Sequence, residues 1–178
     1  MMKQDIALVV VDVQGKLARM VHESEQTIAK ITAMIKGMQV LGAPIIWLEQ
    51  YPQGLGPSIE EVSSLLEGKQ AIPKVTFDAC GTKEFMLQLK ESGCKRIALV
   101  GIETHICVYQ TAVSLMKHGY EVQVVTDAVS SRTVENKQLG LQRMQSEGVK
   151  LTGVEMLLYE LVQSAKSEHF KPILNIIK

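Results

Sequence analysis

The chain has 178 residues, of which 46% are hydrophobic and 21% are charged, so it is long enough for one globular domain with a sizeable core. Its nineteen basic and nineteen acidic residues cancel, and no basic stripe is interleaved with aromatic residues, which argues against a nucleic-acid partner. No apolar run approaches the roughly 20 residues of a membrane-spanning helix, which argues against a membrane partner. This composition favours a small, roughly neutral molecule as the partner.

Short apolar runs alternate with helical patterns along the chain. Apolar runs predict strands at residues 6–11, 44–48, 97–100 and 122–125 and, more weakly, at 149–151. Amphipathic spacing and long uncharged stretches predict helices at residues 24–42, 82–92, 104–118, 132–147 and 155–164. Ser24 is the expected N-cap of the first helix.

Strands that are continuously apolar and separated by helices predict a parallel sheet that is buried on both faces. The expected fold is therefore α/β, with three α/β/α layers and a mainly parallel, doubly wound sheet. Ligands of such folds bind beyond the carboxyl ends of the strands, where the chain has Asp12, residues 49–51 and residues 101–107. The loop at residues 51–57 contains two prolines and two glycines and is expected to wall a pocket at the same edge.

Cys107 is a candidate nucleophile at this edge. It stands in the first turn of a predicted helix, where unpaired N–H groups and the helix dipole are expected to lower the thiol pKa and to offer donors to an oxyanion. The alternative is that Cys107 is a small buried hydrophobic residue, as most free cysteines are. His105 is two residues away and faces another side of the helix, so we interpret it as a pocket-rim or packing residue.

A lysine stands in the apolar, proline-bent stretch at residues 70–79, and Lys74 taken alone is interpreted as a solvated surface charge. Two further segments accompany it, ALVVVDVQ at residues 7–14 and GIETHICV at residues 101–108. In this order and at these separations, the three segments resemble the isochorismatase-like cysteine hydrolases. The likeness extends over about residues 5–158.

The resemblance implies a Rossmann-like hydrolase fold and a catalytic triad, carried here onto Asp12, Lys74 and Cys107. In this chemistry Asp12 accepts the thiol proton and later delivers it to the leaving amine, while Lys74 stabilises the thiolate and holds the carboxylate in position. Attack on an amide-like carbonyl gives a thioester, which a water activated by Asp12 hydrolyses. The implied activity is hydrolysis of a small amide, ureide or related carbonyl compound at a C–N bond other than a peptide bond.

The resemblance also implies a cis peptide bond between Ile102 and Glu103, in a turn that directs backbone N–H groups into the pocket. The N–H groups of Glu103 and Cys107 are then expected to form the oxyanion hole. Without the resemblance, the expected turn is an ordinary trans one with Thr104 as the N-cap of the following helix.

Several residues near the predicted strand ends are candidates for the pocket wall. We expect substrate contacts from Gln14, Glu49, Gln50, Tyr51, Phe77 and Thr104. Residues that follow strand ends also commonly face solvent without contacting a substrate. Arg132, which follows a predicted strand, suits either a bidentate contact with a carboxylate or a surface salt bridge.

We expect no cofactor and no metal. Metal-binding nicotinamidases of this superfamily carry an Asp-x-His pair after the second strand, whereas this chain has Glu-Gln-Tyr-Pro-Gln at residues 49–53. This departure argues against nicotinamide deamidation. Isochorismatases proper cleave a vinyl ether without a thioester, so the presence of Cys107 favours an amide-type substrate.

Two alternatives to a cysteine hydrolase stay open. One is an isochorismatase-type vinyl ether hydrolase. The other is a catalytically weak small-ligand-binding or interaction protein on the same fold. A nucleotide-binding domain has little support, because no glycine-rich phosphate-binding stretch follows the first strand.

The cysteines and the two ends of the chain indicate in which compartment the protein is located and whether it forms oligomers. Three cysteines leave one thiol unpaired in any disulfide scheme, and residues 1–5 lack the apolar segment of a secretory signal, so we expect reduced thiols and a cytoplasmic protein. We expect one domain over residues 1–178. Its apolar tail, at about residues 165–178, is predicted to pack on the domain or to contact another copy in a homo-oligomer, a dimer or larger.

Overall fold

A computed structural model describes residues 5–178 of the chain. Its strands are Ile6–Val11 (β1), Ile45–Gln50 (β2), Ile72–Lys74 (β3), Arg96–Ile102 (β4), Glu121–Ser130 (β5) and Lys150–Thr152 (β6). Its α-helices are Leu17–Met20 (α1), Ser24–Val40 (α2), Pro52–Leu55 (α3), Glu60–Ser63 (α4), Lys83–Ser92 (α5), Tyr109–Lys117 (α6), Val134–Ser146 (α7), Val154–Val162 (α8) and Phe170–Ile177 (α9). Short 3₁₀ turns lie at Ser64–Leu66 and Ala79–Gly81, and a π-helical turn lies at Thr104–Val108.

The strands form a single parallel sheet in the order β3-β2-β1-β4-β5-β6. The chain winds outward from β1 to β3, returns to the centre at β4, and then winds outward in the opposite direction. The direction of winding therefore reverses between β1 and β4, and a crevice opens at the carboxyl ends of strands at such a point. The doubly wound parallel sheet predicted from the sequence is confirmed.

Side chains of β1 alternate between two separate apolar layers, and the whole strand is buried. Ile6, Leu8 and Val10 pack towards α2, α8 and α9 on one face of the sheet. The intervening residues Ala7 and Val9 pack towards α5, α6 and α7 on the other face. Both faces are covered by helices, which explains why the strands read as continuous apolar runs.

The sequence did not predict β3, and it predicted β5 too short. β3 has only three residues, and its middle residue, Pro73, is exposed, so it lacks an apolar run. β5 continues to Ser130, beyond the predicted end at residue 125, and its pairing with β4 shifts register between Leu99 and Gly101. Polar residues such as Asp127 interrupt the apolar pattern there, although the backbone stays extended.

Three local expectations about helices need correction. Ser24 begins α2 but is not its N-cap, because Glu23 precedes it in a left-handed conformation, with φ 51°, and no side chain caps the helix. The helix predicted from residue 104 starts as the π-helical turn before α6. The predicted loop at residues 51–57 contains α3.

The apolar tail forms α9, which packs against α2 through the buried Ile173. The amphipathic sequence of this segment explains why it folds as a helix once it has a surface to cover. Whether the tail also contacts another protomer stays a prediction.

Gly101 brings the two central strands together at the end that carries the site. Its φ is +119°, and a Cβ atom built there would lie 2.0 Å from the carbonyl oxygen of Val11. Only glycine allows the backbones to approach this closely. Because Asp12 follows Val11 and residues 102–107 follow Gly101, this contact places both segments beside one another.

Candidate active site

The structure brings Asp12, Lys74 and Cys107 together at the carboxyl edge of the sheet. Asp12 follows β1, Lys74 is the last residue of β3, and Cys107 lies in the π-helical turn that follows β4. The Lys74 Nζ atom lies 2.8 Å from Asp12 Oδ2, and the two side chains are 0% and 3% exposed. Asp12 and Cys107 line the same small pocket. Three residues from distant parts of the sequence thus form one cluster.

Lys74 is buried rather than solvated, and its ammonium group is surrounded by acceptors. Besides Asp12, it donates to Gln50 Oε1 at 2.5 Å and to the backbone carbonyls of Thr76 and Phe77 at 3.2 Å. An ammonium group has three protons, so these acceptors use its full donor capacity. Lys74 does not line the pocket. It is therefore placed to hold Asp12, and it acts on Cys107 only through its charge.

The Asp12 carboxylate lies between Lys74 and the Cys107 thiol. Oδ2 accepts from Lys74, Oδ1 is buried and meets no nitrogen or oxygen donor within residues 5–178, and the Cys107 thiol is placed to hydrogen-bond to the carboxylate. The backbone of Asp12 is left-handed, with φ 50°, where the chain leaves β1. Burial raises the pKa of Asp12 above its usual range, and the charge of Lys74 partly offsets that rise. The Asp12 carboxylate is therefore a stronger base than an ordinary carboxylate.

The Cys107 thiol does not have the lowered pKa expected from its place near a helix start. Burial raises its pKa to about 12, and the negative charge of Asp12 adds to that rise while Lys74 opposes it. The local dipole argument fails here because the nearest full charge is a carboxylate and little water reaches the sulfur. The thiol is therefore protonated at neutral pH. A nucleophilic thiolate at this site has to be generated by transfer of its proton.

The pocket beside the thiol encloses about 100 Å³ and is mostly apolar. Its walls come from the ends of β1, β2 and β4, from the segment after β3, and from α1 and α3. The lining residues are Asp12, Leu17, Gln50, Leu55, Phe77, Ile102, Glu103, Ile106 and Cys107. Gln50 and Phe77 were predicted as wall residues, and both lie there. The predicted wall loop at residues 51–57 contributes Leu55.

Leu17, Ile102 and Ile106 line the pocket but were not identified from the sequence as wall residues. Ile106 is next to Cys107 in the sequence, so its position beside the predicted nucleophile could have identified it as a wall residue. Leu17 gave no comparable signal, because it reaches the pocket from α1 across the turn that follows Asp12.

The side chains of Gln14 and Glu49 form hydrogen bonds with backbone groups and do not line the pocket. Gln14 is fully buried, donates to the carbonyls of Gln50 and Gly56 at 3.1 and 2.7 Å, and accepts from the Gln50 N–H at 2.6 Å. Glu49 Oε1 accepts from the N–H of Ser58 at 2.7 Å. Both side chains therefore hold the loop after β2 in place, which differs from the substrate contacts expected of them.

Tyr51 and Thr104 also lie off the pocket. Tyr51 is exposed and lines a separate, more open cavity of about 390 Å³ on the other side of Lys74. Thr104 is buried at the start of the π-helical turn, and its Oγ1 atom has no hydrogen-bond partner in the described chain. Thr104 comes directly after Glu103, whose backbone is extended, and no side chain caps the start of the turn.

Glu103 contributes its backbone to the pocket edge and turns its carboxylate towards Arg132. The Ile102–Glu103 peptide bond is cis. The buried Glu103 carboxylate accepts from the backbone N–H of Arg132 at 2.9 Å and from its Nε at 3.2 Å. Arg132 thus forms the intramolecular salt bridge that was one of its two expected roles. Nearby, His105 Nδ1 lies 2.9 Å from Ser131 Oγ, in keeping with a packing role.

Residues 5–178 contain no group of three or more His, Cys, Asp or Glu side chains placed to hold a metal ion. In the same range, no helix combines the length and the apolar character needed to cross a membrane. The functional groups that meet at the site are a thiol, a carboxylate and a buried ammonium group, beside an apolar pocket.

Comparison with known proteins places the chain in a family. Residues 6–156 match the sequence model of the isochorismatase domain. Isochorismatase domain-containing protein 1 of Danio rerio is 38% identical over 146 residues, which make up 82% of this chain and 51% of the relative. The chain therefore spans about half the length of that relative.

Two solved structures share the fold over nearly the whole chain. The MAR1 ribonuclease of Caenorhabditis elegans is 33% identical with a TM-score of 0.91, covering 97% of this chain and 88% of that one. YcaC of Escherichia coli, described as an octameric hydrolase of unknown specificity, is 22% identical with a TM-score of 0.88, covering 97% and 92% of the two chains. The match to the domain and the shared three-layer fold show that the chain belongs to the isochorismatase-like cysteine hydrolase family.

Proposed function

We propose that this chain is a cysteine hydrolase that cleaves a small amide, ureide or related carbonyl compound through a thioester on Cys107. One observation carries the proposal: the buried Lys74–Asp12 ion pair lies beside the Cys107 thiol, which is placed to hydrogen-bond to the Asp12 carboxylate, at the wall of an apolar pocket. A buried ion pair is a costly arrangement, and groups with raised pKa values in a cleft mark candidate catalytic sites.

Acylation begins from a neutral thiol. As Cys107 Sγ forms a bond to the substrate carbonyl carbon, its proton passes to Asp12, and the carbonyl electron pair moves onto oxygen. The tetrahedral intermediate then collapses, the C–N bond breaks, and Asp12 returns the proton to the leaving nitrogen. The products of this half-reaction are the free amine or ammonia and a thioester. Asp12 suits both transfers, because burial raises its pKa above that of an ordinary carboxyl and makes it a better proton acceptor.

Deacylation uses the same carboxylate. Asp12, again ionised, removes a proton from water as the water oxygen attacks the thioester carbon. Collapse of this intermediate breaks the C–S bond, and the sulfur recovers its proton from Asp12. The net reaction consumes one water and converts an amide into a carboxylic acid and an amine. Lys74 keeps Asp12 oriented through both halves by the contact at Oδ2.

Negative charge on the substrate oxygen needs hydrogen-bond donors in the pocket. The backbone N–H groups of Glu103 and Cys107 are the proposed donors, since both residues line the cavity. The Glu103 carboxylate is engaged by Arg132, so it is held back from the space that the oxyanion would occupy.

Intact-protein mass spectrometry after rapid quenching tests the proposal. The wild type is mixed with a panel of small amides and ureides, and release of ammonia or amine is followed in parallel. We expect an acyl adduct that maps to Cys107, absent from Cys107→Ser and from Asp12→Asn. Cys80→Ser is the matched control, because burial raises the pKa of the Cys80 thiol to about 12 as well, and it should keep full turnover.

Two outcomes would contradict the proposal. Hydrolysis that survives in Cys107→Ala would indicate a thiol-independent reaction, such as cleavage of a vinyl ether. Absence of both turnover and adduct would favour a binding or interaction protein. RNA belongs in the panel because the C. elegans neighbour is named a ribonuclease. We expect it to be left intact, since the charged groups that line the pocket are carboxylates.

We further propose that the chain acts as a single domain in a homo-oligomer and in the cytoplasm. YcaC of Escherichia coli, which shares the fold, is described as octameric, and this supports a homo-oligomer. The mechanism needs Cys107 as a reduced thiol, which a reducing compartment preserves. Sedimentation of the purified protein would measure the state of assembly directly.

A further inference from the structure

We propose that the substrate is an uncharged primary amide of a short, purely apolar carboxylic acid. This inference rests on the proposed function and narrows it from small carbonyl compounds in general to one chemical class. It follows from three properties of the pocket: the sign of its charges, the state of its hydrogen-bonding groups, and its size.

Charges at the pocket disfavour an anionic substrate. The charged side chains among its lining residues are the carboxylates of Asp12 and Glu103. Lys74 and Arg132, the cations that contact these carboxylates, do not line the pocket and are held in hydrogen bonds within the protein. The Glu103 carboxylate is turned towards Arg132, so a substrate carboxylate would meet the like charge of Asp12, and no cationic side chain of residues 5–178 lines the pocket to pair with it. Molecules with a second, ionised acid group are expected to be excluded.

Polar side chains at the pocket leave little for a polar acyl group to bind. The Gln50 amide donates through Nε2 to the Val75 carbonyl at 2.8 Å and accepts from Lys74 through Oε1. The remaining wall is formed by aliphatic and aromatic side chains, among them Leu17, Leu55 and Phe77. A hydroxyl or amide on the acyl chain would lose water without gaining a partner, which is unfavourable. The acyl portion is therefore apolar.

The Asp12 carboxylate can accept a further hydrogen bond at the reacting end of the pocket. Asp12 is 2% exposed and lines the pocket, and besides the neighbouring Cys107 thiol no donor within the described residues is directed at its Oδ1 atom. The N–H of a primary amide can donate to this oxygen, whereas an ester has no proton to offer. The same contact places the leaving nitrogen beside the group that protonates it. The remaining acceptor capacity of Asp12 Oδ1 thus favours an amide over an ester of the same shape.

Pocket size limits the acyl chain. The pocket has a volume of about 100 Å³, compared with about 150 Å³ for a protein cavity that binds benzene. An acyl group of roughly three to five heavy atoms fits this space, as in propionamide, butyramide and isobutyramide. Leu55 on α3 and Phe77 in the segment after β3 line the pocket and are 40% and 52% exposed, so they stand where it opens to solvent. A longer chain would have to extend past these two side chains, where it is less buried.

Initial rates on a matched set of amides test the inference in the wild-type protein. The set is butyramide, hexanamide, 4-hydroxybutyramide and succinamate. We expect kcat/KM to be highest for butyramide and to fall by about 100-fold for the hydroxylated amide, with a greater fall for the anion. In Cys107→Ala, which cannot turn over, calorimetry should show butyramide binding more tightly than its near-isostere methyl butyrate.

Leu55→Ala tests the assigned wall. It should raise the kcat/KM of hexanamide relative to butyramide by about tenfold or more, since each well-packed methylene contributes about 10–200-fold. Leu87→Ala is the matched control, because Leu87 has a similar exposure (46% against 40%) but lies on α5 away from the pocket. It should leave the preference unchanged.

The outcomes separate the two proposals. Efficient turnover of succinamate or 4-hydroxybutyramide, equal binding of amide and ester, or an unchanged chain-length preference in Leu55→Ala would overturn the substrate class while the thioester chemistry stands. Failure to form an acyl adduct on Cys107 with any compound would overturn the proposed function and this inference with it.

Discussion

Replacing Lys74 by methionine should destabilise the protein strongly, because it leaves the Asp12 carboxylate buried without its counter-ion. The two charged atoms are 2.8 Å apart in the structure, so with an effective dielectric constant of about 20 they attract one another by about 6 kcal/mol. Removal of one partner of a buried pair typically costs about 3–5 kcal/mol. We expect a loss of that size in the free energy of unfolding of Lys74→Met at pH 8.

This loss should depend on pH in a defined direction. Without Lys74, the pKa of Asp12, already raised by burial, rises further. The folded protein then binds a proton that the unfolded chain does not bind, so its stability falls as pH rises through the raised pKa. The difference between wild type and Lys74→Met should therefore be greatest at pH 8 and should narrow towards pH 5.

Urea unfolding at a series of pH values measures both effects. Lys150→Met is the matched control, because the Lys150–Glu121 pair is 3.5 Å apart with side chains that are 66% and 62% exposed, and such pairs contribute about 0–1 kcal/mol. The double variant Asp12→Asn/Lys74→Met removes both charges and should be more stable than Lys74→Met at pH 8. A loss below about 1 kcal/mol in Lys74→Met, or one independent of pH, would refute the buried ion pair.

Four further outcomes are expected. Iodoacetamide should label Cys107 no faster than Cys80 at neutral pH, since the pKa of each thiol is raised to about 12. Asp12→Asn should speed labelling of Cys107, because it removes a charge that raises that pKa, while it abolishes hydrolysis; peptide mapping would show slower labelling if this is wrong. The acid limb of kcat/KM should lie above the usual carboxyl range because burial raises the pKa of Asp12, and full activity at pH 4 would contradict that assignment. Gly101→Ala should lower the melting temperature well beyond Gly68→Ala, because a Cβ at 101 meets backbone at 2.0 Å whereas Gly68, also at positive φ, has nothing within 4 Å; equal shifts would contradict the close approach.

The fold was predictable because its two central strands are apolar without interruption. The composition of β1 and β4 is enough to predict both strands. Ligands bind at the carboxyl ends of parallel strands, and this rule led directly to Asp12 and Cys107. β3 escaped prediction because a three-residue strand with an exposed proline has no pattern.

The electrostatic state of the site could not be predicted from local sequence. Lys74 taken alone reads as a surface charge because its acceptors come from Asp12, Gln50 and two carbonyls that are assembled only in the folded chain. The thiol pKa was expected to fall because the helix start is visible in the sequence, whereas the opposing carboxylate is not. Gln14 shows the same limit, since its backbone partners are known only from the structure.

A cysteine that rests in its neutral form is also shielded from oxidants. Peroxide attacks the thiolate, and oxidation beyond the sulfenic acid stage is essentially irreversible, so enzymes with permanently ionised cysteines are exposed to inactivation whenever peroxide rises. Burial of Cys107 beside Asp12 keeps its sulfur protonated, and in the proposed reaction the proton leaves only as the sulfur attacks a carbonyl compound. The arrangement that slows the free thiol should therefore let the protein endure oxidative conditions without losing its nucleophile.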